Sequence, residues 1–95
     1  MRKKKYLEIY PEILYGNRIK ITIVGNPKGL LHLAGLLTEL ANVDQEKSED
    51  LPVGDREHSH LYPSGQLNEH SCEVELCRAD AKGSGEYPEY LKYPY

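Results

Sequence analysis

The chain contains no tryptophan and no phenylalanine, so any aromatic contact surface must come from its eight tyrosines. It also lacks an apolar run approaching the roughly 18 residues of a membrane span, which excludes a spanning helix and leaves no membrane partner to expect. A basic start, Arg2-Lys3-Lys4-Lys5, is followed by Tyr6–Glu12 with two carboxylates. No apolar segment of about 7–15 residues follows it, so an export signal is not expected. Cysteine is scarce: Cys72 and Cys77 stand five apart in one predicted strand, where an odd spacing points them to opposite faces and disfavours a mutual disulfide. Both read as thiols, which fits a reducing cytoplasm. No Gly-rich phosphate loop, paired-carboxylate motif or nucleophile elbow is present, so neither catalysis nor a cofactor is expected. A net charge of −3 argues against general nucleic-acid binding.

What is present is a strand-to-helix junction. Gly25-Asn26-Pro27-Lys28-Gly29 runs into Leu30–Ala41. Asn26 suits the N-cap, where its side-chain oxygen accepts from a free helix amide, and Pro27 suits the first helical position, where a missing N–H costs nothing. Leu30, Leu33, Ala34, Leu37, Leu40 and Ala41 recur at steps of three and four, which predicts that this stripe packs on a sheet.

Tyr6–Tyr10 alternates as a short strand stopped or edged by Pro11. Arg18–Val24 alternates more clearly and places Ile19, Ile21 and Ile23 on a buried face, with an antiparallel hairpin through Gly16-Asn17. His58–Tyr62 and Ser71–Arg78 form a second hairpin, with Cys72, Val74 and Leu76 inward. The order strand, strand, helix, strand, strand predicts an α+β fold: a single helix packed on a four-stranded, mainly antiparallel sheet with its other face open. Residues 1–80 form that domain, and residues 81–95 read as a Gly/Ser hinge and a Tyr/Pro-rich tail.

Three surfaces are candidates for function. The stretch from Asn42 to Glu57 loses periodicity and gains carboxylates, so it reads as an exposed acidic loop. Glu46, Glu49, Asp50, Asp55 and Glu57 would steer a basic partner there. Tyr87, Tyr90, Tyr93 and Tyr95 would anchor it, because tyrosine offers large amphipathic area at low rotamer cost. His58 and His60, two apart on a strand, project from one face and are weak metal candidates. Structural zinc wants four ligands, and nothing in the sequence brings His32 or His70 near them.

These residues carry a family resemblance. Gly25-Asn26, Gly29-Leu30, Leu33-Ala34 and Leu37, then His58-Ser59-His60-Leu61 and Ser71-Cys72-Glu73-Val74-Glu75-Leu76, resemble the immunity protein 32 family of bacterial polymorphic toxin systems. The resemblance covers roughly Arg18 to Arg78. It implies a non-enzymatic protein made beside a toxin that binds and neutralises it; no toxin-contacting residue transfers with it. The competing reading is a homo-oligomeric binding module whose tail adds to a neighbouring sheet edge. A metal or thiol enzyme using His58, His60 and a cysteine is the third.

Overall fold

Asn26 ends one element and begins the next. Its backbone is extended, its side-chain oxygen accepts from the Gly29 amide at 2.8 Å, and Pro27 follows as the first residue of α1 (Pro27–Asn42). The cap expected from the sequence is the cap that forms. The computed structural model describes residues 4–89. Around α1 lie β1 (Leu7–Ile13), β2 (Ile19–Gly25), β3 (His58–Leu61) and β4 (Val74–Cys77), in the order β1, β2, α1, β3, β4.

Both expected hairpins form. β1 pairs antiparallel with β2, from Leu7 opposite Gly25 to Ile13 opposite Ile19, and β3 pairs antiparallel with β4. The first hairpin turns through a single 3-10 turn, Tyr15–Asn17, in which Gly16 and Asn17 take φ of 78° and 61°. That left-handed geometry suits glycine and asparagine.

The single four-stranded sheet is corrected to two sheets of two strands each. The stretch before β4 does reach β1, but half of its contacts are made by side chains. The Asn68 and Cys72 amides donate to the Leu7 and Ile9 carbonyls, at 2.8 Å each. The Leu7 and Ile9 amides donate instead to Asn68 Oδ1 and Ser71 Oγ, at 2.7 and 3.1 Å. Side-chain atoms stand where a strand would offer backbone, so the ladder is broken although the loop before β4 is held along the edge of β1.

This edge explains a proline inside a strand. Leu7 and Ile9 turn their amides away from β2, and alternation along an antiparallel pair gives Pro11 the same parity. Its missing N–H therefore removes no bond from the β1–β2 ladder.

The helix covers less of the sheet than its leucines suggest. Leu33 is buried with Leu7, Ile9, Leu61 and Leu67, and Leu36, Val74 and Leu76 pack against that cluster. In α1 only Gly29 and Leu33 are buried and His32, Leu36 and Leu40 are half-buried, whereas Leu30, Ala34, Leu37 and Ala41 are exposed. Ile19, Ile21 and Ile23, expected to be buried, are 71%, 57% and 51% exposed.

Position accounts for Ile19 and Ile21, though not for Ile23, which lies opposite Ile9 of the cluster. Leu33 sits over Leu7 and Ile9, at the start of β1, while a seven-residue strand runs on for about 20 Å. The register puts Ile19 and Ile21 opposite Ile13 and Pro11, at the end remote from that cluster. The molecule is a plate of 45 × 42 × 18 Å with a radius of gyration of 16.0 Å, against about 13 Å for a compact 100-residue domain. Among the described residues, the buried apolar side chains are Leu7, Ile9, Leu33, Leu61, Leu67 and Ala81.

Candidate interaction surfaces

The acidic stretch, expected to be a free loop, is stapled down. Gln45, in the 3-10 turn Gln45–Lys47, is 3% exposed. Its Nε2 donates to the Asp80 carbonyl at 2.7 Å and to Asp80 Oδ2 at 3.2 Å, and its Oε1 accepts from the Glu57 amide at 3.1 Å. A buried amide with its polar atoms paired is a specific lock, because leaving any of them unpaired would cost more than the bond itself adds.

Lys82 does the same from the other side. Its Nζ donates to the Ser48 and Leu51 carbonyls, at 2.7 Å each, while Gly54 N donates to the Lys82 carbonyl and Lys82 N to the Asp55 carbonyl. A cation spent on two backbone carbonyls holds the loop's shape rather than neutralising its carboxylates.

Arg78 closes the helix end. Its Nη1 donates to the Leu40 and Val43 carbonyls at 3.1 and 3.0 Å, which satisfies acceptors the helix leaves open. Its other edge forms a forked pair with Asp80, Nε to Oδ1 at 2.8 Å and Nη2 to Oδ2 at 2.7 Å. The hydrogen bond from Arg78 holds the Asp80 carboxyl below its usual range, and that same bond raises the Arg78 guanidinium.

The five acidic candidates divide accordingly. Glu46 accepts from the Gly83 amide at 3.1 and 2.9 Å, and Glu57 accepts from Ser48 Oγ at 2.6 Å. These two serve the loop's own conformation. Glu49, Asp50 and Asp55 are exposed, standing on the segment that Gln45 and Lys82 hold.

The Gly83-Ser84-Gly85 turn carries bonds of its own. Gly85 N donates to the Ala81 carbonyl and Ala81 N to the Glu86 carbonyl, at 2.8 and 2.9 Å. Arg56 bridges the Ala79 and Glu86 carbonyls. Tyr87, which follows, is 53% exposed. Tyr90, Tyr93 and Tyr95 lie outside the described residues.

His58 and His60 do share the outer face of β3. Their rings meet edge to face at 5.1 Å between centroids, and His60 stacks on Tyr62 at 6.0 Å. The register places Cys77 opposite His58 and Glu75 opposite His60. Even so, the described residues contain no group of three or more His, Cys, Asp or Glu side chains arranged to hold a metal ion. Cys72 lies before β4, half-buried, instead of within the strand, and Cys77 is exposed with its thiol donating to the Arg78 carbonyl. An open depression of about 340 Å³ lies between Lys5 and the turn Ser64–Glu69. No described helix is long and apolar enough to cross a membrane.

The motif residues have structural work. The Asn26 side chain accepts from the Tyr6 and Gly29 amides and donates to the Lys4 carbonyl, clamping the entry to β1 onto the start of α1. Gly29 is buried with no room for a Cβ, which would run into the Tyr6 carbonyl. The sequence marked Asn26 and its glycines through cap chemistry. It did not mark Gln45, Arg78 or Lys82, because isolated polar residues carry no spacing signal.

The chain is thus an α+β protein, with one α-helix and two small antiparallel sheets among the described residues. Residues 20–79, more than half of its length, match the Immunity protein 32 family, and the chain belongs to that family. No curated protein and no solved structure matched it.

Proposed function

We propose that this chain is a non-enzymatic immunity protein that binds a cognate bacterial toxin in the cytoplasm and neutralises it by covering its working surface. The observation that carries the reading is family membership over residues 20–79. Support does not come from a closed helix-on-sheet sandwich, since the outer row of helical leucines is open.

Inhibition by occlusion needs a surface held in shape before the partner arrives, because ordering a loop on binding costs affinity. Glu49, Asp50 and Asp55 meet that need: they are exposed on a segment held by Gln45 and Lys82. Fixed carboxylates of one sign would speed encounter with a basic toxin. Tyr87, with Tyr90, Tyr93 and Tyr95, would then bury aromatic area at the contact. Glu46 and Glu57 contribute by keeping the loop's shape as much as by charge.

The test is direct binding of the purified chain to the toxin encoded beside it. A one-to-one complex that abolishes the toxin's activity is expected. A toxin that remains fully active with saturating chain present would overturn the reading.

A further inference from the structure

Among the described residues no strand lies beside the outer edge of β2, and its chemistry is that of a pairing edge. Because Leu7 and Ile9 turn their backbone groups away from β2, the register makes Ile19, Ile21 and Ile23 turn theirs away from β1, toward the open side. The same three residues expose their side chains by 71%, 57% and 51%, next to Ile13 at 79%.

Backbone donors, backbone acceptors and an isoleucine row therefore lie open along one line. Leu30 adds to it at the end of β2, where its side chain comes within 3.3 Å of a Cβ built on Gly25. Leu30 also begins the exposed helical row Leu30, Ala34, Leu37 and Ala41.

Proteins that keep such edges single protect them with proline, bulges, short strands or inward charges. β2 has seven residues in unbroken register and no proline, and its one charged side chain, Lys20, lies on the opposite face at 3.6 Å from Glu12. We propose that this edge is a homodimer interface, where β2 of one chain pairs antiparallel with β2 of a second copy.

The sequence of β2 can pair with itself without opposing like charges. With the two-fold axis at Ile21, Ile21 faces its own copy and Ile19 faces Ile23, so the isoleucines of both chains form one seam. On the other face Lys20 meets Thr22 and Arg18 meets Val24, so no like charges stand opposed. Shifting the axis to Lys20 would set two lysines against each other. In the first register β1 and β2 of both chains make one continuous four-stranded sheet.

Burial argues the same way. Among the described residues the core cluster has five aliphatic side chains, while four isoleucines of β1 and β2 remain half or more exposed. A contiguous apolar patch of this kind marks an association surface. A second copy is the occupant that matches its length, its hydrogen-bonding parity and its side chains together. This interface is separate from the stapled acidic segment and does not depend on the toxin-binding reading.

Sedimentation of the full chain over about a hundredfold concentration range, with amide exchange on the same sample, tests the proposal. Expected are a species of twice the 10.8 kDa chain mass and slow exchange at Ile19, Ile21 and Ile23 that becomes fast on dilution. Ile21→Lys and Ile21→Pro should each weaken the dimer at least about tenfold while retaining the helical circular dichroism, since residue 21 donates nothing to β1. A single-chain mass at every concentration would overturn the proposal, as would rapid exchange at all three amides in the concentrated sample. Folded variants that remain dimeric would overturn it too. If both variants unfold, the exchange pattern of the unaltered chain decides alone. A single-chain mass that pairs through β2 only when toxin is added would assign the edge to the toxin and reject the homodimer.

Discussion

Asn26 and Tyr6 hold each other by two reciprocal bonds: the Tyr6 amide donates to Asn26 Oδ1 at 3.0 Å, and the Asn26 amide donates to the Tyr6 carbonyl at 3.1 Å. The same Oδ1 caps α1 through Gly29. One side chain thus sets both where the helix begins and where it sits on β1. Asn26→Ala should lower stability by about 1–2 kcal/mol, the upper range for losing a cap. Asn26→Asp should recover part of it, because the accepting oxygen survives while the second oxygen, an acceptor in place of a donor, faces the Lys4 carbonyl. Urea unfolding of the three proteins checks both directions.

Two glycines of the same helix should respond with opposite signs. Alanine is favoured over glycine inside a helix by about 1 kcal/mol. Gly35 has nothing within 4 Å of the added carbon, so Gly35→Ala should stabilise by about that amount. At Gly29 the added carbon meets the Tyr6 backbone carbonyl, which cannot swing aside as a side chain would. Gly29→Ala should destabilise by about 1–3 kcal/mol despite the better propensity. Thermal melts of the pair decide it.

The Arg78–Asp80 fork makes a prediction in pH. Asp80 is held below its ordinary value of 3.8 in the folded chain. Its contribution to stability is therefore present above that ordinary value and is lost as pH falls through the depressed one. Arg78 is raised above its ordinary value, so its contribution persists throughout the usable range. The loss of melting temperature between neutral pH and pH below about 4 should be smaller in Asp80→Asn than in the unaltered protein, and the variant should already be less stable at neutral pH. Equal pH slopes in the two proteins would mean that the fork does not couple to folding.

The stapled acidic surface makes a kinetic prediction. Reversing Glu49, Asp50 and Asp55 to lysine should slow association with a basic toxin by about tenfold or more at low salt and change dissociation little. Gln45→Ala leaves those charges in place but removes the buried lock. It should lower stability, and its effect on binding should follow the loop's loss of order. Stopped-flow association at two salt concentrations separates these effects.

Much of this architecture could be read from residue order. Asn26 and Pro27 marked the helix start, alternation in Arg18–Val24 and His58–Leu61 marked strands, and both hairpins followed from their turns. The burial of the sheet could not be read. Ile19, Ile21 and Ile23 alternate as a buried face would, but periodicity says only that a face is apolar, not what covers it. The same limit applies to α1, where Leu30 and Leu37 fit the apolar stripe yet flank the line that is buried. The break in the sheet was equally hidden, since the Asn68 and Ser71 side chains act there in place of backbone. As for the surfaces, the histidine pair was placed correctly on one face. The acidic segment's fixed shape depends on Gln45 and Lys82, whose partners lie 12 to 35 residues away.

On the proposed function, this chain protects a cell from a toxin by binding it. The most direct measurement is growth of a toxin-expressing host, with the toxin encoded beside this chain under inducible control, in the presence and absence of the full chain. Growth should be restored by the full chain, and the two proteins should co-purify from the rescued cells. Continued killing by the toxin, with the full chain folded and in excess, would contradict it.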